Sequence, residues 1–188
     1  TAYTHRLESE FRSIELLGSR CCGSTLVFGG FRYISLDEQF SSVAVNGQPP
    51  TLIIGAENDL YGFELGIDGE IWNSCRGLSL EGLAKAGVYH NDVSASALDT
   101  DTGFGGSGQA SGSETAFVSE LAVTAVYDLR CNLSLQAGYQ MLFIDGVSLA
   151  ADQVPDTGDL NVGVNNADVR IASSLFFHGL NVGLEYRR

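Results

Sequence analysis

Thirteen charged residues sit at positions that alternate with apolar ones, and that spacing is the first candidate for chemistry. They are Arg6, Glu8, Glu10, Arg12, Arg32, Glu64, Asp68, Glu70, Glu81, Lys85, Glu120, Glu185 and Arg187. In an extended chain successive side chains point to opposite faces, so these residues form one polar face. If the apolar face meets lipid, the charged face must line an interior, because at mid-depth an Arg or Lys facing lipid costs about 2–4 kcal/mol and an Asp or Glu somewhat less. A wide, wet interior with an excess of carboxylates favours cations. A narrow one is plugged by acids and bases paired across neighbouring strands. The two readings stand level, because strand number sets the bore.

Other residues carry weaker signals. Cys21, Cys22, Cys75 and Cys131 all fall in short turn-like connections. A disulfide between turns, or free thiols, is expected ahead of a metal site: there is no C-x₂-C pair, and adjacent Cys21 and Cys22 are poorly placed as ligands. Asp92, Asp99 and Asp101 lie in HNDVSASALDTDTGFGG, but only the start of a calcium loop is matched, with no Glu eleven residues after Asp99. A solvated loop is expected there. Gly105, Gly106 and Gly108 do not form the phosphate-cradling pattern. Of His5, His90 and His178, only His90, beside Asn91 and Asp92 at the outer rim, is read as a candidate for a Ser–His pair, with Ser94. The expectation is no catalytic residue, no metal, no cofactor and no enzyme activity.

The elements that must position the charged face are strands. Alternation of period two runs through residues 61–72, where Tyr61, Phe63, Leu65, Ile67 and Ile71 oppose Glu64, Asp68 and Glu70. It recurs at residues 78–89, 115–127, 133–143 and 180–187, and less cleanly at 6–13 and 27–33, which makes seven strands. Most runs span about ten to fifteen residues, longer than the five or six usual in soluble domains. About ten tilted residues cross a bilayer. Pro49, Pro50 and Pro155 are read as lying in connections. Short connections near 18–24, 73–77 and 129–132 alternate with long ones near 37–57, 91–114 and 146–172. An up-and-down meander then has all short turns at one end. Tyr33, Tyr61, Phe63, Phe117, Phe143 and Phe176 gather at the long-loop end, and Tyr127, Tyr186 and Trp72 at the other, as interfacial aromatic belts do. The lipid-facing set is read as Tyr61, Phe63, Leu65, Ile67, Phe143 and Tyr186.

The 188 residues include 23 Gly, 3 Pro and 44% hydrophobic residues, with 23 acids against 10 bases for a net charge of −13. That charge argues against a phosphate-binding face, so no nucleic-acid partner is expected. No run approaches the roughly 18 apolar residues of a membrane helix.

The stretches GGFRYISLDE (29–38), RGLSLEGLAKAGVYHN (76–91), TAFVSELAVTAVYDL (115–129), LQAGYQMLFIDGVSLAADQ (135–153) and FFHGLNVGLEYR (176–187) resemble the planctomycete-type outer-membrane β-barrel proteins. The resemblance implies a bacterial outer-membrane location, contact with outer-membrane lipid and the assembly machinery, and the C-terminal portion of a larger barrel. Such barrels commonly end in an aromatic residue; this chain ends Tyr186, Arg187, Arg188, so Tyr186 would take that role.

The expected fold class is all-β, an antiparallel up-and-down transmembrane β-barrel, with residues 1–188 as one domain. At least one more strand is expected upstream or from another chain, and an oligomer is compatible with the pattern. The first functional expectation is porin-like passive diffusion of small hydrophilic solutes with mild cation preference. The alternatives are a structural outer-membrane protein with a closed lumen and partner-binding acidic loops, or a soluble secreted β-barrel binding module.

Overall fold

A computed structural model describes residues 2–12, 19–20, 25–43, 50–74, 77–99, 106–130, 132–153 and 171–186; the side chains of 2–12, 19–20, 42–43, 50–51, 99 and 106 are not part of that description. The strands are β1 (Ala2–Arg12), β2 (Ser19–Arg20), β3 (Leu26–Val43), β4 (Pro50–Ser74), β5 (Leu78–Asp99), β6 (Gly106–Arg130), β7 (Leu133–Val147) and β8 (Ser173–Tyr186). They form one antiparallel sheet in the order β1-β3-β4-β5-β6-β7-β8, with β2 beside the end of β3. The seven long strands are the seven read from alternation. Among the described residues β1 and β8 are the two edges and do not pair with each other.

The expected long loops near 37–57 and 91–114 are corrected by this topology. Strands β3 to β6 run on through most of both segments, so β4 and β6 each reach 25 residues. Pro50 likewise opens β4 rather than lying in a connection; a first strand position tolerates a missing amide donor.

The reason these extensions read as loops is that their alternation changes phase. In the middle of β4, Phe63 and Leu65 point outward at 75% and 71% exposure while Glu64 is buried at 3%. Further along the same strand Leu52, Ile54, Ala56 and Leu60 are buried, and Glu57 is exposed. Each phase change falls at two adjacent apolar residues, one exposed and one turned inward: Tyr33–Ile34, Leu60–Tyr61, Val88–Tyr89, Phe117–Val118, Phe143–Ile144 and Phe176–Phe177. On one side of each switch the exposed row is apolar, and on the other side the apolar row is the buried one.

The outer face therefore has three zones, and the register shows how they lie. Tyr33, Tyr61 and His90 share one row across β3, β4 and β5. Phe117 pairs with Val88, two residues lower, and Phe143 pairs with Ser119, two lower again, level with Phe176. At the other border Trp72 is in the row of Leu80 and Ala125, Tyr127 stands two residues further on, and Tyr186 is in the row of Leu133 and Arg130. Both borders thus descend in the same direction. At about 3.4 Å per residue and 4.8 Å per strand, the upper border falls about 14 Å over about 24 Å, a strand tilt of about 30°. The apolar stretch on β6, from Phe117 to Tyr127, is then about 34 Å along the strand and about 29 Å perpendicular to the band, close to the thickness of a bilayer's hydrocarbon. A bulge between Glu70 and Trp72 keeps Ile71 and Trp72 both exposed on the outer face. Without it Trp72 would face inward.

Candidate functional site

The inner face is built in three levels. At the short-turn end, Asp68, Glu70 and Glu81 are exposed, with Glu70 and Glu81 directly opposite each other on β4 and β5. Asn73 Nδ2 donates to Glu70 Oε2 at 2.7 Å, Ser134 Oγ to Asp128 Oδ1 at 2.7 Å, and Gln136 Nε2 to Glu185 Oε2 at 2.7 Å.

At mid-depth the charges meet. Arg32 Nη1 on β3 donates to Glu120 Oε2 at 3.0 Å and to Glu64 Oε2 at 3.4 Å. Lys85 Nζ on β5 lies 2.9 Å from Glu120 Oε2 and 3.7 Å from Glu64 Oε1. Tyr89 Oη donates to Glu64 Oε2 at 3.0 Å, and Gln140 Nε2 on β7 donates to Glu120 Oε1 at 2.7 Å. Two cations and two anions make a cluster of no net charge. Glycine makes the room for it. Across the strands Arg32 faces Gly62, Glu64 faces Gly30 and Gly87, and Lys85 faces Gly66. A Cβ on Gly87 would stand 2.8 Å from both Glu64 Cβ and the Tyr89 ring, and one on Gly66 would stand 2.8 Å from Lys85 Cγ.

Above the cluster the inner face is apolar. Ile34, Leu36, Leu60, Tyr89, Ala116, Val118, Ile144 and Val147 form one buried cluster, and Leu52, Ile54, Ala56 and Ala150 another. Val147, the last residue of β7, opens a strap, residues 147–153, that carries Ala150 and packs back over this face; Leu149 packs against the first cluster. Its departure needs Gly146, which has φ +83° at a bulge between Asp145 and Val147. A side chain there would be strained, and its Cβ would lie 2.8 Å from the Thr115 carbonyl oxygen.

The sequence-predicted residues separate into groups. Arg32, Glu64, Lys85 and Glu120 are brought together. Asp68, Glu70, Glu81 and Glu185 share their inner face nearer the short turns. In the β1 register Arg6, Glu8, Glu10 and Arg12 stand opposite Asp37, Ser35, Tyr33 and Phe31. The side chains of these four residues lie outside the described ones. Arg187 and all four cysteines lie outside the described residues, as do the side chains of His5 and Asp99. Tyr61, Phe63, Leu65, Ile67, Phe143 and Tyr186 are all exposed on the outer face. His90 Nε2 lies 3.2 Å from Asp92 Oδ1 and Ser94 donates to Glu57, so no Ser94–His90 pair forms. Among the described residues no group of His, Cys, Asp and Glu is arranged to hold a metal. Sequence reasoning missed Glu38, Asn58, Asn91 and Gln140. Asn58 and Asn91 sit on apolar rows, and that interruption was the available signal.

A tilted antiparallel meander, with an apolar band on one face and charged groups on the other, is the wall of a β-barrel. The chain matches the family model described as Putative beta barrel porin-7 (BBP7) over residues 5–187, and it belongs to that family. No curated protein and no solved structure matches it.

Proposed function

We propose that this chain forms the wall of a porin-like barrel in the bacterial outer membrane, passing small hydrophilic solutes by diffusion. The observation that carries the reading is the inversion on β4: Phe63 and Leu65 turned out, Glu64 turned in. A soluble barrel would have those faces exchanged, because Phe63 and Leu65 in water would forfeit about 1.5–3 kcal/mol each. The apolar band between two aromatic borders is suited to outer-membrane lipid, and further strands, from this chain or another copy, would close the sheet.

Mild cation preference is part of the proposal, but it falls to different residues than the full inward set. Arg32, Glu64, Lys85 and Glu120 neutralise one another, so they add little field along a water path. Asp68, Glu70 and Glu81 are exposed on the inner face, and among the described residues no base pairs with them. They would raise the local concentration of positive ions at the short-turn mouth.

The test is the protein in a planar bilayer under a salt gradient. Discrete conductance steps with a cation-selective zero-current potential are expected. The triple variant Asp68→Asn, Glu70→Gln, Glu81→Gln should move that potential toward zero. An unchanged potential removes the acid-mouth assignment, and an absence of steps removes the pore. The closed-lumen alternative has one observation in its favour, the strap over the inner face, and it is the reading left standing if no steps appear.

A further inference from the structure

The strap is fastened by buried polar groups rather than resting on the sheet. Asn58 on β4 uses both ends of its side-chain amide on one residue: Nδ2 donates to the Ser148 carbonyl at 2.8 Å, and Oδ1 accepts from the Ser148 amide at 2.8 Å. Asn91 on β5 donates from Nδ2 to the Gly146 carbonyl at 2.9 Å and to Asn58 Oδ1 at 3.1 Å. Glu38 on β3 accepts from the Ala150 amide at 3.2 Å. Gln153 Nε2 closes the turn on Ser148 Oγ at 3.0 Å, and Ser173 at the start of β8 donates to Asp152. Asn58, Asn91 and Ser148 have no exposed surface. The strap is therefore tied directly to β3, β4 and β8, and Asn91 on β5 holds both Asn58 and the Gly146 bulge at its root.

Its place explains why the inner wall changes character. Water-filled lumens have polar walls, yet above the ion cluster this wall is Ile34, Leu36, Leu52, Ile54 and Leu60. The strap covers them with Val147, Leu149 and Ala150, which pack into the same two clusters as Leu142, Leu175, Phe177 and Phe40. Buried asparagines bonded to backbone are costly to release, since each freed group would lack a partner in an apolar surround. The strap is a fixed part of the wall, and its exposed side carries Ala151 and Asp152.

We infer that residues 147–153 form the size-limiting constriction of the lumen, positioned by Asn58, Asn91 and Glu38, with Asp152 as its charged lip. This rests on the pore reading above. Solutes would pass along the polar inner wall at the short-turn end and then squeeze by Ala151 and Asp152.

The test uses the full chain in lipid, with three readouts. Hydrogen exchange on the wild type should show peptides covering 147–153 protected as strongly as β4. In a planar bilayer the double variant Asn58→Leu, Asn91→Leu should raise conductance at least twofold and admit larger neutral polyethylene glycols. Asp152→Asn keeps a side-chain oxygen to accept from Ser173 but removes the charge, so it should lower cation preference while leaving the polymer cut-off unchanged; it serves where the double variant does not fold. Conducting wild-type protein whose 147–153 peptides exchange at loop rates overturns the inference and leaves the pore. So does an unlatched variant with wild-type conductance and cut-off, or an Asp152→Asn variant with unaltered selectivity. A wild type with no conductance steps overturns the pore reading itself, whatever the strap's protection.

Discussion

Replacing Arg32 by Met asks whether the mid-depth cluster is dry. Arg32 sits 3.0 Å from one carboxylate and 3.4 Å from another, with side chains 9%, 7% and 2% exposed for Arg32, Glu120 and Glu64. At an effective dielectric of about 20, each contact is worth about 5 kcal/mol of attraction before desolvation is counted. Removing the guanidinium leaves two carboxylates and one ammonium. Lys85 stays with Glu120 at 2.9 Å, while Glu64 keeps only a 3.7 Å approach to Lys85 and the Tyr89 hydroxyl. Breaking a buried pair in this way typically costs about 3–5 kcal/mol. The paired variant Lys85→Met, Glu120→Gln removes one charge of each sign and keeps Arg32 on Glu64, so it should cost about 1–2 kcal/mol. Equilibrium unfolding in lipid vesicles, followed by the fluorescence of Trp72, the single tryptophan, measures both. A cost under about 1 kcal/mol for Arg32→Met refutes the reasoning, because only a water-filled surround would screen the loss so completely.

Two further outcomes follow from the same geometry. Leu65→Arg places a charge in the middle of the apolar band and should destabilise the barrel by about 2–4 kcal/mol in vesicles, whereas Ser94→Arg, on the polar outer zone, should stay within about 0.5 kcal/mol; equal costs for the two would remove the lipid-facing band. Gly146→Ala forces a Cβ into the left-handed backbone and toward the Thr115 carbonyl, so thermal unfolding should show a loss of about 1–2 kcal/mol. The amides of the strap should then exchange faster than in the wild type; unchanged exchange means the bulge does not set the strap's path.

How much was legible follows from what alternation encodes. Wherever an apolar surround and a polar interior lie on opposite faces, period two is written into the chain. Residues 61–72 therefore disclosed both the outward Phe63–Leu65–Ile67 row and the inward Glu64. The same rule failed beyond the aromatic border, where the apolar row moves inside and the outer residues become Ser94, Ser96 and Glu57. Scanned with one phase, that stretch lost its period and passed for loop. The adjacent apolar pairs at Tyr33–Ile34 and Leu60–Tyr61 were the marks of the switch.

Spacing along each single strand was enough to disclose the strands, the length of their alternating runs and which central residues share a face. Tertiary structure alone decided that Arg32, Glu64, Lys85 and Glu120 neutralise one another, that glycines from neighbouring strands make space for them, and that residues 147–153 return to lie on Asn58, Asn91 and Glu38. Those facts depend on register between strands up to 112 residues apart, set by bulges and turns whose effects add across the sheet and leave no period in the chain.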